Sequence, residues 1–240
     1  MTALEFAVQD VAGARLARQL GADRVELCSA LGGTGGITPS LGLIEGAVAT
    51  GVPVHVLIRC RPGDFVYDED ELAVMAADAV AAMQAGAAGV VVGALTEQRE
   101  VDVPALERLV EGLRLGQGEL TFHRAVDQVS DQFAALDVLR ELGFRRVLSS
   151  GGAPSCVEGL GALAALVEHA DRGVEVMAGG GVRVADIAAL RNAGVDAIHL
   201  SARRVVAGDA GPGGGDAPRE TLDVTIATAA VAAVREERWT

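Results

Sequence analysis

The chain has 240 residues, half of them hydrophobic, and a formal net charge of −13. That length can bury one sizeable core, so we predict a single domain spanning residues 1–240. The negative charge argues against nucleic acid or an anionic membrane surface as a partner, but a local pocket for a small anionic ligand is compatible with it. All 20 basic residues are arginine, which excludes lysine Schiff-base chemistry.

The sequence shows few features that indicate export, membrane insertion or redox chemistry. The three cysteines, Cys28, Cys60 and Cys156, form no C-x-x-C motif. The amino terminus shows no basic segment followed by an apolar run, so we expect no signal peptide. The apolar stretch 73–88 contains Asp78 and predicts a core helix instead of a membrane span. We therefore expect a cytoplasmic protein with reduced thiols.

Strand and helix patterns alternate along the whole chain. Predicted strands cover residues 4–8, 24–28, 54–59, 89–93, 120–125, 146–150, 174–178 and 197–201. Predicted helices include residues 68–85, 103–114, 131–142 and 184–192. Glycines expected to end helices precede later strands: Gly21, Gly51, Gly86, Gly143 and Gly194. Eight such units predict an α/β fold, a single (β/α)₈ TIM barrel, with an open doubly wound sheet as the alternative.

The Gly/Pro-rich stretch 208–218, after the eighth strand, predicts a flexible loop near the barrel mouth. A surface insertion without a role is the alternative. Barrels often associate through their outer helices, so a homo-oligomer is a further expectation.

Ligand sites of such barrels lie at the carboxyl ends of the strands. Side chains alternate between the two faces of a strand, which predicts a polar barrel interior. Its expected members are Glu5, Glu26, His55, Arg59, His123 and His199. Among them, Glu26, His123 and His199 are the candidate groups for proton transfer.

Two glycine-rich turns follow the sixth and seventh strands. Their backbone N–H groups, with two arginines, predict an anion site. Its candidate residues are Arg59, Arg124, Ser150, Gly179, Gly180 and Gly181. Alternatively, these glycines simply allow tight turns.

The segment 120–127 runs from a hydrophobic strand into His123, Arg124 and Asp127. The predicted strand 120–125 includes both His123 and Arg124, and alternation places them on opposite faces. His123 would then face the interior, while Arg124 braces the strand end or reaches over the rim. A structural arginine–carboxylate pair is the alternative, with Glu5 or Glu26 as partners of Arg59 or Arg124.

Cys28 and Cys60 lie at the ends of neighbouring predicted strands. Two thiolates can hold Cu(I), which makes this pair a candidate metal site. Alternation places Cys60 on the face opposite Arg59, away from the interior. The alternative is that each cysteine is a small buried hydrophobic residue.

The ordered set of motifs resembles the CutC family, which is annotated for copper homeostasis. The matching segments are residues 21–28 (GADRVELC), 35–40 (GGITPS), 58–59 (IR), 63–65 (GDF), 121–125 (TFHRA) and 177–182 (MAGGGV), with His199 and Ser201. The resemblance implies a cytoplasmic TIM barrel that binds copper. Of the family's copper-associated cysteines only Cys28 is present, since Ala7 occupies the strand-one position and Cys60 replaces the usual proline.

Two functions follow. The first is a Cu(I)-binding homeostasis protein that uses Cys28 with Cys60 or Met177. The second is an enzyme acting on a small anionic metabolite, a phosphate or a carboxylate, in which arginines and glycine turns hold the anion and buried acids and histidines move protons.

Overall fold

A computed structural model describes residues 2–113, 118–206 and 219–236. Eight parallel strands form a closed barrel in sequential order, with β8 pairing with β1. The strands are β1 Ala3–Val8, β2 Arg24–Leu27, β3 Val54–Leu57, β4 Gly89–Val92, β5 Glu119–Phe122, β6 Arg146–Ser149, β7 Glu175–Ala178 and β8 Ala197–Leu200. This arrangement confirms the predicted (β/α)₈ barrel.

Helices surround the barrel. Within the described part of the chain they are α1 Val11–Leu20, α2 Leu31–Thr34, α3 Leu41–Val48, α4 Glu69–Gln84, α5 Val103–Val110, α6 Gln132–Glu141, α7 Leu160–Ala170, α8 Ile187–Asn192 and α9 Val224–Arg235. Short 3₁₀ helices cover Glu111–Leu113, Arg124–Gln128 and Val184–Asp186. None of the helices described is long and apolar enough to cross a lipid bilayer.

A two-stranded antiparallel sheet follows the barrel and was not predicted. It consists of β9 Arg203–Val206 and β10 Arg219–Leu222. The predicted loop at 208–218 lies outside the described residues.

Helix boundaries follow local chemistry. α4 begins with a capping box, in which Asp68 accepts from the Glu71 N–H and Glu71 accepts from the Asp68 N–H. After α4 the backbone turns at Gly86, which has φ of 93°. The other glycines predicted to end helices share this left-handed conformation: Gly21, Gly51, Gly143 and Gly194.

Along each strand, successive side chains point alternately into the apolar core between sheet and helices and into the interior of the barrel. In β2, Val25 and Leu27 pack outward into the large apolar core between sheet and helices. Glu26, between them, faces the barrel interior, where small apolar clusters such as Leu148 with Met177 and Ala197 fill part of the space. The outer core holds the fold together, whereas the interior carries the polar groups.

Buried arginines fill the amino end of the barrel interior. Arg146, which is 2% exposed, donates to Glu119 at 3.0 Å, to Glu175 at 2.9 Å and to Thr121 at 3.2 Å. On the other side of the barrel, Arg24 pairs with Glu5 at 2.5 Å. These hydrogen bonds and ion pairs lie at the amino end of the interior, beneath the site described next.

Candidate functional site at the barrel mouth

A cavity of about 340 Å³ opens at the carboxyl ends of the strands. Its charged and titratable lining residues come from several different strands and their following loops. They are Glu26, Arg59, His123, Arg124, His199 and Arg203. The three candidates for proton transfer, Glu26, His123 and His199, therefore share one cavity.

Glu5, Glu26 and His199 form a buried cluster on the β8–β1–β2 side of the barrel. His199 Nδ1 lies 2.7 Å from a Glu5 oxygen and 3.9 Å from Glu26 Oε2. Glu26 Oε2 has no hydrogen-bond partner among the described residues. Glu5 thus orients the histidine, and Glu26 keeps one oxygen uncommitted.

Opposing forces set the charge states of this cluster. Burial alone would raise the pKa of Glu5, but Arg24 and His199 hold it well below its usual range. Burial raises the pKa of Glu26 to about 7, even though the charge of His199 acts to lower it. For His199 burial acts to lower the pKa, yet the hydrogen bond to Glu5 and the nearby carboxylates raise it. The cluster is therefore poised to exchange a proton near neutral pH.

Arg24 was missed at the sequence level. It pairs with Glu5 and also approaches the Met177 sulfur at 3.2 Å. The expectation that Arg59 or Arg124 would pair with Glu5 or Glu26 is therefore wrong for Glu5, whose partners are Arg24 and His199. The sequence could have predicted this position, because Arg24 lies two residues before Glu26 and therefore shares its face of the strand.

His123 is held by several contacts. β5 ends at Phe122, one residue earlier, and His123 Nδ1 accepts the Ala125 N–H at 3.1 Å as the chain enters a 3₁₀ helix. The Phe65 ring centre lies 4.7 Å from the imidazole centre, and the imidazole also lies so close to Gly93 that a Cβ atom there would come within 2.3 Å of it. Burial and the charge of Arg59 lower the pKa of His123 to about 3.

Arg59 is held by the backbone of neighbouring loops. Its guanidinium donates to the carbonyl oxygens of Thr34, Gly36 and Gly63 at 2.8–3.0 Å and lies 5.1 Å from the centre of the Phe65 ring. Neither acid of the cluster is its partner. Among the residues that the structure describes, no carboxylate pairs with Arg59, which thus contributes a positive charge to the cavity wall.

Arg124 lines the same cavity as His123. The predicted opposite orientation of these two residues is wrong, because strand alternation stops when β5 ends at Phe122. Arg124 donates to Asp127 at 2.8 Å and to the Ser150 hydroxyl at 2.8 Å. It lies directly over Gly180, where a Cβ atom would approach the guanidinium carbon to 2.9 Å.

The glycine-rich turn after β6 already holds an anion, the Asp127 carboxylate. Asp127 accepts hydrogen bonds from the N–H groups of Ser150 and Gly152 and from the hydroxyls of Ser149 and Ser150, all within 3.1 Å. The donors of Ser150, a predicted anion ligand, are therefore used inside the protein. Sequence patterns gave no sign of this contact, since 23 residues separate Asp127 from Ser150.

The three glycines of the turn after β7 lie in two different environments. The Gly179 N–H donates to the Ser149 carbonyl oxygen within the sheet, at 2.9 Å. Gly180 and Gly181 have left-handed φ values of 105° and 69° and line the cavity. Of the predicted anion ligands, Arg59, Arg124, Gly180 and Gly181 thus reach the cavity wall, and Ser150 and Gly179 lie behind it.

The two candidate copper ligands belong to different environments. Cys28 is fully buried in a small cluster with Leu57 and Val91, and burial raises the pKa of its thiol well above the usual range. Cys60 packs on the outer core, as alternation predicted. In the described part of the chain, the grouping of acids, histidines and cysteines compact enough to hold a metal ion is Glu5 with Glu26 and His199.

Fold and site together define a TIM-barrel protein with a charged cavity at the carboxyl-terminal mouth. The model of the CutC family matches residues 2–204, and the chain belongs to this family. Two relatives described as family protein CutC are similar to it. One, from Agrobacterium fabrum, is 44% identical over 84% of this chain and 80% of its own length. The other, from Caulobacter vibrioides, is 46% identical over 82% and 80%.

Solved structures agree with this assignment. The copper homeostasis protein CutC from Streptococcus agalactiae is 34% identical and superposes with a TM-score of 0.77 over 84% of this chain and 99% of its own. A protein from Coccidioides immitis described as a deoxyribose-phosphate aldolase is 16% identical with a TM-score of 0.63, over 84% and 81%. The second likeness shows the shared barrel fold alone.

Proposed function

We propose that this CutC-family protein is an enzyme that holds a small anionic metabolite at the barrel mouth and moves a proton on it. The observation that carries the proposal is one cavity with two kinds of group. On one side Glu26, with a pKa raised to about 7 by burial, lies beside His199, whose pKa is also raised; the guanidinium groups of Arg59 and Arg124 lie elsewhere on the wall, and among the described residues Arg59 has no carboxylate partner. A purely structural interior has no need of this combination.

Arg124 with the Gly180–Gly181 turn supports binding of the anionic group. The guanidinium lies against Gly180, and the backbone of Gly180 and Gly181 lines the cavity beside it without side chains that would keep a ligand away. Arg203 adds a second cation at the rim, held by Glu220 at 2.7 Å. A phosphate or a carboxylate fits this chemistry, and the size of the cavity suits a small metabolite.

Calorimetric titration with inorganic phosphate and with oxalate tests the anion site. We expect both to bind, and we expect Arg124→Gln to weaken binding about tenfold or more, because a charge-assisted hydrogen bond contributes roughly 1.5–3 kcal/mol. Arg140→Gln is the matched control, since Arg140 pairs with Asp137 on the outer helix α6. Equal affinities for the two variants, or no binding to the native protein, would contradict the proposal.

Cu(I) binding is the second candidate, favoured by the description of the Streptococcus agalactiae relative as a copper homeostasis protein. The residues present fit Cu(I) poorly, because Cu(I) takes thiolate ligands and the buried Cys28 thiol resists ionisation. Cys60 lies in a different cluster, away from Cys28. A cytoplasmic location, where thiols stay reduced, belongs to both candidates.

Competition for Cu(I) with a chromogenic chelator tests this candidate. If Cys28 is a ligand, Cys28→Ser should lose copper and Cys156→Ser should keep it. Equal, weak binding by the native protein and both variants would exclude a Cys28 copper site.

A further inference from the structure

We infer that His123 donates a hydrogen bond to an oxyanion that develops on a carbonyl substrate, while Glu26 removes a proton from the adjacent carbon. The inference rests on the proposed function and deepens it. It names the substrate class as small carbonyl compounds with a phosphate or carboxylate group, and the reaction as enolisation.

The hydrogen-bond partner of His123 fixes its tautomer. Nδ1 accepts the Ala125 N–H, so the lone pair is on Nδ1 and the proton of the neutral ring is on Nε2. Nε2 is buried, and no partner for it exists in the described ranges. A buried donor without a partner is costly, and a ligand oxygen in the cavity satisfies it.

The environment keeps this ring neutral and immobile. Burial and Arg59 lower its pKa to about 3, so His123 cannot serve as a base while its only lone pair is engaged. Phe65 and Gly93 both lie close against the ring and restrict its movement. A rigid neutral donor suits the stabilisation of a developing negative charge better than it suits proton uptake.

The donor and the base lie on opposite sides of the barrel. In the closed order β1 to β8, β5 is diametrically opposite β1. His123 follows β5, whereas Glu26 and His199 belong to β2 and β8, which flank β1. All three line the same cavity, so a small ligand between them can present its oxygen to His123 and its C–H bond to Glu26.

The proposed step balances as follows. The ionised Glu26 carboxylate takes the proton from the carbon next to the carbonyl, and the C–H bond breaks. Its electron pair becomes the new C=C bond, and the carbonyl π electrons move to oxygen, which accepts the His123 Nε2–H hydrogen bond. Return of a proton from Glu26 to that carbon re-forms the carbonyl, so reversible enolisation exchanges the carbon-bound hydrogen with solvent. The neighbouring His199, held by Glu5, offsets the charge on ionised Glu26.

Proton exchange with solvent tests the step. The native protein is incubated in D₂O with dihydroxyacetone phosphate or with hydroxypyruvate, and deuterium incorporation next to the carbonyl is followed by proton NMR. We expect incorporation above the rate in buffer, and the preferred probe reveals whether phosphate or carboxylate is recognised. His123→Phe keeps a ring between Phe65 and Gly93 but has no donor, and should slow exchange about 10²–10³-fold.

Two further variants complete this experiment. Glu26→Gln should abolish most exchange, by about 10²–10⁴-fold. His169→Phe is the matched control, because His169 lies on the outer helix α7 beside Asp137, and its exchange rate should be native. Glu26-dependent exchange that is undiminished in His123→Phe overturns the oxyanion role and leaves the proposed function standing. No exchange with either probe overturns both.

A measurement on the native protein avoids any folding defect of a variant. Nitrogen-15 NMR of histidine-labelled protein should show His123 neutral and protonated on Nε2 from pH 5 to pH 8. A His123 signal that titrates in this range, or that shows the proton on Nδ1, overturns the inference.

Discussion

At the residue scale, the position of His123 depends on a neighbour without a side chain. Gly93 follows β4, and the imidazole ring occupies the space where any other residue would place its Cβ atom. The Phe65 ring, whose centre lies 4.7 Å from that of the imidazole, also restricts its movement. Position 93 therefore requires glycine because the imidazole comes so close to the backbone. An unusual backbone conformation is not the reason, since Gly93 is not among the glycines with positive φ.

Gly93→Ala should destabilise the protein by about 1–3 kcal/mol, as overpacking of a closed site does. Gly161→Ala is the control, because Gly161 lies in α7 with open space where a Cβ atom would be added. That change should be neutral or stabilise by up to about 1 kcal/mol. Urea unfolding of both variants measures the difference, and equal midpoints would show that His123 is not confined as described.

The raised pKa of Glu26 makes stability depend on pH. Burial raises the pKa to about 7, so the folded state keeps a proton that the unfolded chain releases above its ordinary value of 4.5. The contribution of the neutral carboxyl is complete below pH 4.5 and is lost as pH rises through 7. The slope from this group is at most about 1.4 kcal/mol per pH unit.

Glu26→Gln removes this titration. The native protein should lose stability relative to the variant as pH rises from 5 to 7, and the difference should level off above that range. Urea unfolding at unit pH intervals measures it, with Glu168→Gln on the outer surface of α7 as the control. Parallel profiles for native protein and Glu26→Gln would show that Glu26 ionises normally.

At the element scale, the segment between β5 and α6 organises one side of the mouth. β5 ends at Phe122 and a 3₁₀ helix follows at once, which brings Asp127 against the turn after β6. One carboxylate thereby joins Arg124, both hydroxyls of that turn and two of its N–H groups. The loop after one strand is held in place by the loop after its neighbour.

Asp127→Ala should vacate a preformed anion site and destabilise the protein by about 1–3 kcal/mol, because the buried donors of Ser149 and Ser150 lose their acceptor. Formate, which replaces the missing carboxylate, should restore part of that stability by binding the folded state. Thermal unfolding in sodium formate and in sodium chloride of equal ionic strength measures the rescue. A formate effect as large in the native protein as in the variant would contradict this account.

Sequence patterns predicted which segments form strands and helices better than they predicted the residues at which those segments end. Strand alternation correctly placed Glu26 and His199 in the interior, because both residues lie inside strands. It failed for Arg124, since the predicted strand was extended three residues beyond Phe122. The tautomer of His123 also depends on where β5 ends, because the Ala125 N–H reaches His123 Nδ1 only after the chain has turned into the 3₁₀ helix. The contact of Asp127 with Ser150 is tertiary and leaves no local pattern.

At the scale of the whole molecule, eight repeated units were enough to predict the barrel, but the contents of its amino end were not anticipated. Arg146 connects Glu119 of β5 with Glu175 of β7 and is almost fully buried. Its neighbour Arg145 reaches the same Glu175 from the surface, with 59% of its side chain exposed. Because the two arginines share a partner and differ in burial, they allow a buried ion pair to be compared with an exposed one.

Arg146→Met should destabilise the protein by about 1–3 kcal/mol, because Glu119, Glu175 and the buried Thr121 hydroxyl lose the donor that joins them. Arg145→Met should cost under about 1 kcal/mol, as exposed ion pairs do. Urea unfolding of both variants gives the comparison. Similar losses for the two would mean that the buried hydrogen bonds of Arg146 contribute no more to stability than the exposed ion pair of Arg145.

The position of the cavity has a kinetic consequence. The paired arginines Arg24 and Arg146 occupy the interior beneath it, while the cavity opens at the carboxyl ends of the strands. If the proposed reaction takes place there, substrate and product share one space of about 340 Å³. A product that stays bound excludes the next substrate molecule, so it should act as a competitive inhibitor.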